Sequence, residues 1–305
     1  MEDRDGFIWV DGKLVPWRDD RVHLLSYTFM HVAGVFEGVR AYAGPHGTAI
    51  FRLEDHTNRL SASAAILQMA LPYSKAELNA AQRELVRVSG LGACYIRPVA
   101  YYDGKVVGVS AQGNCVHVAI AAWAWDNYLG ESAQQDGIRI KVSSFSRHHV
   151  NAAMSKAKAN GHYINSMLAV MEAKQLGLDD ALMLDPHGYV AECSTSNVFV
   201  MRNGRLSTPE RTAILEGITR DTIMVLAAEH GLAVEERRIT RDELYCADEV
   251  FITGTAAELT PVIEIDGRRI GAGTPGATTR MLQACYRDAV EGRDPSKRHW
   301  LSPID

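Results

Sequence analysis

The chain has 305 residues, is 47% hydrophobic and 23% charged, and carries a formal net charge of −5, enough for one large core or two modest ones. A mildly acidic balance with no basic run argues against nucleic acid as a main partner. The start, "MEDRDGFIWVDGK", lacks the basic and apolar stretches of a secretory signal, and no apolar run nears the roughly 18 residues of a membrane helix.

In chain order, "FIWVDGKLVPW" reads as two short strands around Asp11-Gly12, a type I′ hairpin signal. "HTNRLSASAAIL" puts Leu60, Ala64 and Leu67 on one helical face. "SKAELNAAQRELVRVSG" opens with the capping box Ser74-x-x-Glu77 and stops at Gly90. "CVHVAIAAWAW" reads as a buried strand, and the polar "DNYLGESAQQDG" after it as a linker. The expected organisation is therefore a smaller N-terminal domain over 1–125, a linker over 126–134 and a larger C-terminal domain over 135–305. In the second domain the apolar periodicity starts at Tyr163, with Ile164, Leu168 and Met171 on one face. Two more Xaa-Gly hairpins, at Asn203-Gly204 and Asp266-Gly267, make much of the sheet antiparallel and the fold α+β rather than Rossmann-like. "ITRDTIMVLAAEHG" and the capping box Thr240-x-x-Glu243 mark later helices, and "EGRDPSKRHWLSPID" reads as a surface tail.

Several common chemistries lack their signatures. There is no GxxxxGK[ST], no GxSxG elbow and no HExxH. Cys94, Cys115, Cys193, Cys246 and Cys285 are scattered without CxxC spacing, so neither a disulfide framework nor a metal site is expected, and reduced thiols fit the cytoplasm. His148-His149 reads as a surface pair, since neighbouring side chains on a strand point to opposite faces.

What remains is "SKAKANGHY". A lysine just before a helix, among Ala, Gly and Asn, has room for a flat ligand and few competing charges, so it can lose its proton and form a Schiff base with an aldehyde. From this stretch alone Lys156 and Lys158 are both candidates, and two solvated loop lysines are the bland alternative. Glu192, in "GYVAECSTSNVFV", is an acid in a β-prone run; if buried it needs a partner, and a protonated pyridine nitrogen would serve. "ILEGITRDT" offers an uncommitted helix start suited to phosphate, and "ITGTAAELTPV" puts Thr255 beside two alanines that admit a ligand to the backbone.

Together "GVFEGVRAY", "YIRPV", "SKAKANGHY", "EGITRD" and "FITGTAAELTPV" resemble the branched-chain aminotransferases, within the fold-type IV pyridoxal-phosphate family, from about Phe7 to about Ala289. The resemblance implies pyridoxal 5'-phosphate as cofactor, amino acids and keto acids as substrates, a homodimer, and a mostly antiparallel or mixed sheet in the larger domain. It makes Lys158, not Lys156, the Schiff-base lysine. It assigns Tyr163 to the cofactor's phenolic oxygen, Glu192 to its ring nitrogen, and Arg59, Ile218, Thr219 and Thr255 to its phosphate. His31, Phe36, Gly38, Arg40, Tyr95, Tyr128, Ala256 and Ala257 would line the substrate pocket, Arg97 would receive a carboxylate, and Val109 would complete the neighbouring subunit's pocket.

The implied reaction is transamination of leucine, isoleucine and valine with 2-oxoglutarate. Two departures bear on substrate range: His31 stands where many relatives have tyrosine, and "ECSTSN" stands where they often read EGxGEN. They leave open a transaminase of D-amino acids or (R)-primary amines, and a lyase of aminodeoxychorismate stands behind both.

Overall fold

The computed structural model describes residues 4–125 and 129–304. All three Xaa-Gly pairs form two-residue turns with both residues at positive φ, as in Asn203 at 49° and Gly204 at 73°. That is the type I′ conformation whose twist matches the flanking strands. Asp11-Gly12 joins Phe7–Val10 to Lys13–Pro16, and Asp266-Gly267 joins Glu258–Ile265 to Arg268–Arg269.

The chain forms two compact units. The first holds the residues up to Trp125, Ala157–Gly161 and the stretch from Ala289; the second holds the rest. The first unit thus takes a piece of what chain order assigned to the C-terminal domain, Lys158 included. The expected linker is not all loop either, because Glu131–Asp136 is helical.

In the first unit the strands run in the order Leu301–Pro303, Gly47–Phe51, Val39–Gly44, Cys94–Tyr102, Val116–Trp123, Phe7–Val10, Lys13–Pro16, with Gly34–Phe36 also paired to Cys94–Tyr102. Every pairing is antiparallel. Val118, Ile120 and Ala122 alternate with half-buried neighbours, so "CVHVAIAAWAW" has one core face rather than two. Their face shares a core with Leu60 and Ala64 of helix Leu53–Ile66 and with Leu78, Leu85 and Val86 of helix Lys75–Ser89. The capping box forms: Ser74 accepts from Glu77 N–H, Glu77 accepts from Ser74 N–H, and Gly90 closes the helix at φ 62°. The expected tail is instead an edge strand. Leu301–Pro303 pairs with Gly47–Phe51, satisfying its backbone groups, and Trp300 packs edge-on against Phe51 at 6.0 Å.

In the second unit the order is Val190–Cys193, Asp180–Leu184, Ile138–Val142, Glu258–Ile265, Glu249–Gly254, Asn197–Arg202, Arg205–Pro209, Val234–Arg237. The sheet is mixed, since Ile138–Val142 runs parallel to both of its neighbours. One face carries Ile140, Val142, Leu182, Val198, Val200 and Ile252 into the core, and helix Ile218–Glu229 lies against strand Glu249–Gly254. Among the described residues no helix is long and apolar enough to cross a membrane.

Helix Tyr163–Gln175 reverses an expectation. It buries Ser166, Ala169 and Ala173, the two alanines clustering with Ala181 and Met183, while Ile164 and Met171 lie about half exposed. Small residues let the helix approach the strand closely, and this outweighs the hydrophobicity of the other face. Ala169→Leu should overpack this contact and cost about 1–3 kcal/mol in urea unfolding; an unchanged midpoint would mean the helix is turned the other way.

Candidate active site

In the first unit the backbone of Lys158 is fixed from two directions. Ala159 bridges Val35, the Lys158 carbonyl accepts from Phe36 N–H at 3.0 Å, and the Lys158 N–H donates to Ser63 Oγ at 2.9 Å. Ala157 and Ala159 are 2% and 4% exposed, members of the core themselves, so the segment is embedded while the lysine side chain stays half-buried. Its Nζ stands 5.1 Å from the Phe36 ring centroid, and the Arg97 guanidinium stands 4.6 Å from the same centroid. Cation–π contacts of this kind contribute about 0.5–2 kcal/mol each.

Around Phe36 the structure gathers other expected residues. Arg97 donates from Nη2 to Tyr95 Oη at 3.0 Å, while its Nε is buried without a partner among the described residues. Gly38 is required here: a Cβ would stand 2.0 Å from Tyr95 Oη. Tyr95 packs on Trp123 and Trp125, whose carbonyl accepts from Arg40 Nη2 at 3.4 Å. His31 closes a short helix, is exposed, and stacks on Tyr27 at 4.4 Å. The Tyr27 hydroxyl in turn donates to the Val109 carbonyl at 2.5 Å, tying His31 to the loop that carries the expected Val109. Tyr128 lies outside the described residues.

Arg59 is held by an acid that sequence reading passed over. Glu37, fully buried, accepts from Arg59 Nε at 2.6 Å and Nη2 at 2.9 Å, and lies 2.7 Å from His56 Nδ1. Burial works to raise the Glu37 carboxyl, but the Arg59 charge and the His56 hydrogen bond outweigh it and hold it far below the usual carboxylate range. His56 is depressed, first by burial and further by the Arg59 and Lys158 charges, against the opposing pull of Glu37. It is therefore neutral at neutral pH, and its Nδ1–H is assigned to Glu37 from the carboxylate neighbour. A charged residue inside the apolar run of "GVFEGV" was the available signal, since a strand buried on both faces keeps an acid only with partners.

In the second unit Glu192 is 6% exposed. It accepts from Asn197 Nδ2 at 3.1 Å, from Leu215 N–H at 3.3 and 3.4 Å, and pairs with Arg147 Nη2 at 2.8 Å. Arg147 was also missed; it stands immediately before the His148-His149 pair that drew attention. Of that pair, His149 is exposed and His148 half-buried, tilted against His162.

Asn197 also reaches the Leu215 carbonyl at 3.0 Å, and a Cβ on Gly217 would stand 2.0 Å from Asn197 Oδ1. Gly217 precedes helix Ile218–Glu229, whose start has no side-chain cap; Ile218 and Thr219 are both buried there. Lys156 braces the same loop through the carbonyls of Arg211 and Ile214 and through Glu216 at 3.1 Å. Lys156 thus has a structural occupation. Thr255, Ala256 and Ala257 form the turn between strands Glu249–Gly254 and Glu258–Ile265, and Tyr163 opens its helix half-buried.

The Glu37 cluster contributes to the acid limit of stability. In the unfolded chain Glu37 and His56 titrate near about 4.3 and 6.5. Both are depressed in the fold, so the unfolded state binds their protons first and stability falls with pH. The loss should begin just below about pH 6.5 through His56 and steepen below about pH 4.3 through Glu37. Urea midpoints followed from pH 8 down through the acid unfolding transition test this, and His56→Gln should flatten the upper part of the curve.

Residues 34–265 match the family model for class IV amino-transferases. The chain is 56% identical over 304 residues to the branched-chain-amino-acid aminotransferase of Pseudomonas aeruginosa, covering 100% of this chain and 99% of that one. It is also similar to the T.th. branched-chain amino acid aminotransferase solved with pyridoxamine 5'-phosphate, at TM-score 0.96 and 45% identity over 99% of both chains. The same enzyme complexed with N-(5'-phosphopyridoxyl)-L-glutamate gives a TM-score of 0.95 at 43% identity, again over 99% of both chains. A match of this extent means that the chain belongs to the class IV aminotransferase family.

Proposed function

We propose that the chain is a branched-chain amino-acid aminotransferase, moving the amino group of leucine, isoleucine or valine to 2-oxoglutarate with pyridoxal 5'-phosphate as its cofactor. The names of its relatives and the pyridoxamine and phosphopyridoxyl-glutamate complexes support this reading. The observation that carries it within the chain is Glu192, a buried carboxylate fixed by three donors. A buried carboxylate with such donors is held ionised, the state that pairs with a protonated ring nitrogen. The uncapped helix start at Gly217 fits a phosphate by the same test, because its first N–H groups lack side-chain acceptors.

When bound, the cofactor supplies an aldehyde for an amine and a ring that withdraws electrons from the substrate's Cα. Lys158 Nζ would be the amine that holds the cofactor's aldehyde and, when free, the general base for the proton at the substrate's Cα. Tyr163 holds the phenolic oxygen and Glu192 the ring nitrogen. Arg59, Ile218 N–H, Thr219 and Thr255 hold the phosphate; Arg59 commits two of its five donors to Glu37, which fixes its plane. Phe36, Gly38, Arg40 and Tyr95 of the first unit would contact the substrate side chain, with Arg97 receiving its carboxylate; Tyr128, Ala256 and Ala257 carry the same assignment.

We further infer a homodimer in the cytoplasm. Val107 and Val109, at 71% and 89% exposure, leave apolar side chains in water on the loop assigned to a neighbour's pocket, and all five cysteines are free. The stack of His31 on Tyr27 supports a packing role for His31, hence the L-branched-chain reading over D-amino acids or (R)-amines.

The test is a half-reaction without acceptor, following loss of the aldehyde-form absorbance. L-leucine should bleach the holoenzyme while D-alanine and (R)-1-phenylethylamine should not. Lys158→Ala should slow the L-leucine reaction by roughly 10²–10⁴-fold or more; bleaching by the amine as fast as by leucine would overturn the substrate assignment.

A further inference from the structure

We propose that Arg147 is a positioning residue that keeps the proton shared by Glu192 and the cofactor's ring nitrogen on the nitrogen. The proposal rests on the reading of Glu192 as the ring-nitrogen partner. Arg147 is 8% exposed, its N–H donates to the Leu184 carbonyl at 2.8 Å, and its Nη2 meets Glu192 Oε1 at 2.8 Å. Its Nε is buried without a hydrogen-bond partner among the described residues. The guanidinium is therefore not the hub of a polar network of its own. A cation is desolvated with part of its fork unused, and what it gains is proximity to one carboxylate. Burying an ion this way is costly unless its partner stays ionised.

The consequence is where a proton sits. A carboxylate and a pyridine nitrogen that face each other away from water can share a proton as an ion pair or as neutral acid and neutral base. Low dielectric alone favours the neutral pair. Positive charge and N–H donors on the far side of the carboxylate lower its proton affinity and move the proton to nitrogen. Asn197 and Leu215 supply neutral donors at 3.1 and 3.3 Å; Arg147 supplies the charge. A protonated nitrogen is the stronger electron sink, so Arg147 acts on the reaction through Glu192 without touching substrate. If Arg147 merely filled space, a neutral side chain of similar length would serve as well.

The experiment loads the wild type, Arg147→Met and Arg147→Lys with pyridoxal 5'-phosphate carrying ¹⁵N in the ring and reads the ring-nitrogen resonance, the cofactor dissociation constant and the L-leucine half-reaction rate. The wild-type resonance should stand at the protonated position. In Arg147→Met it should move toward the unprotonated position, and the half-reaction should slow by roughly tenfold, the effect of about one unit of displaced proton affinity. Arg147→Lys should restore much of both, with cofactor affinity changing little across the three. A protonated nitrogen and an unaltered rate in Arg147→Met would overturn the proposal, as would an unprotonated nitrogen in the wild type, which needs no variant to fold. A wild type that takes up no cofactor would overturn the cofactor reading itself, a result distinct from either.

Discussion

The hydrogen bond from Phe36 N–H to the Lys158 carbonyl, with the Val35–Ala159 bridge beside it, is the contact on which the candidate residues of the first unit depend. It draws a five-residue segment, far along the chain, into the unit formed by the first 125 residues. It also sets the lysine beside Phe36, and through Phe36 beside Arg97 and Tyr95. Ala157 and Ala159 make this possible, because only small side chains fit a core already filled by the helices behind it. The Ser63 hydroxyl completes the anchorage from helix Leu53–Ile66, the helix that also carries His56 and Arg59.

Each unit buries one acid against one arginine, and the two pairs follow the same physics. Glu37 with Arg59 and Glu192 with Arg147 are both nearly inaccessible. In each, removing one partner would strand the other, which is why such pairs fix geometry more than they add stability. Glu37 is doubly held by Arg59 and backed by a neutral histidine, an arrangement that gives an arginine one plane. Glu192 is met by one nitrogen of a fork and by neutral donors, an arrangement that holds the carboxylate ionised.

The loop 211–217 links the candidate residues of the second unit. Lys156 braces its beginning and middle, Glu192 and Asn197 hold Leu215, and Asn197 lies so close to Gly217 that a side chain there has no room. A displacement at the acid is therefore felt at the helix start one residue beyond. The two lysines of "SKAKANGHY" divide their work accordingly: Lys156 shapes a loop, and Lys158 stands over Phe36.

Local rules were legible in the chain itself. Both members of Asp11-Gly12, Asn203-Gly204 and Asp266-Gly267 adopt left-handed backbone, and Ser74 and Glu77 cap their helix reciprocally, because turns and caps depend on residues a few positions apart. The motifs that resemble a family were legible for the same reason. What the chain could not express by itself was everything decided by distant neighbours. The face that helix Tyr163–Gln175 buries was settled by how closely alanines let it approach a strand, and the tail became an edge strand because Gly47–Phe51 had unpaired backbone to offer. The partners of Glu37, and of Glu192 through Arg147, belong to this second kind. The sequence determined which residues could carry a charge inside; only the tertiary structure decided which opposite charge would meet it, since burial makes that pairing obligatory but leaves its identity to the packing.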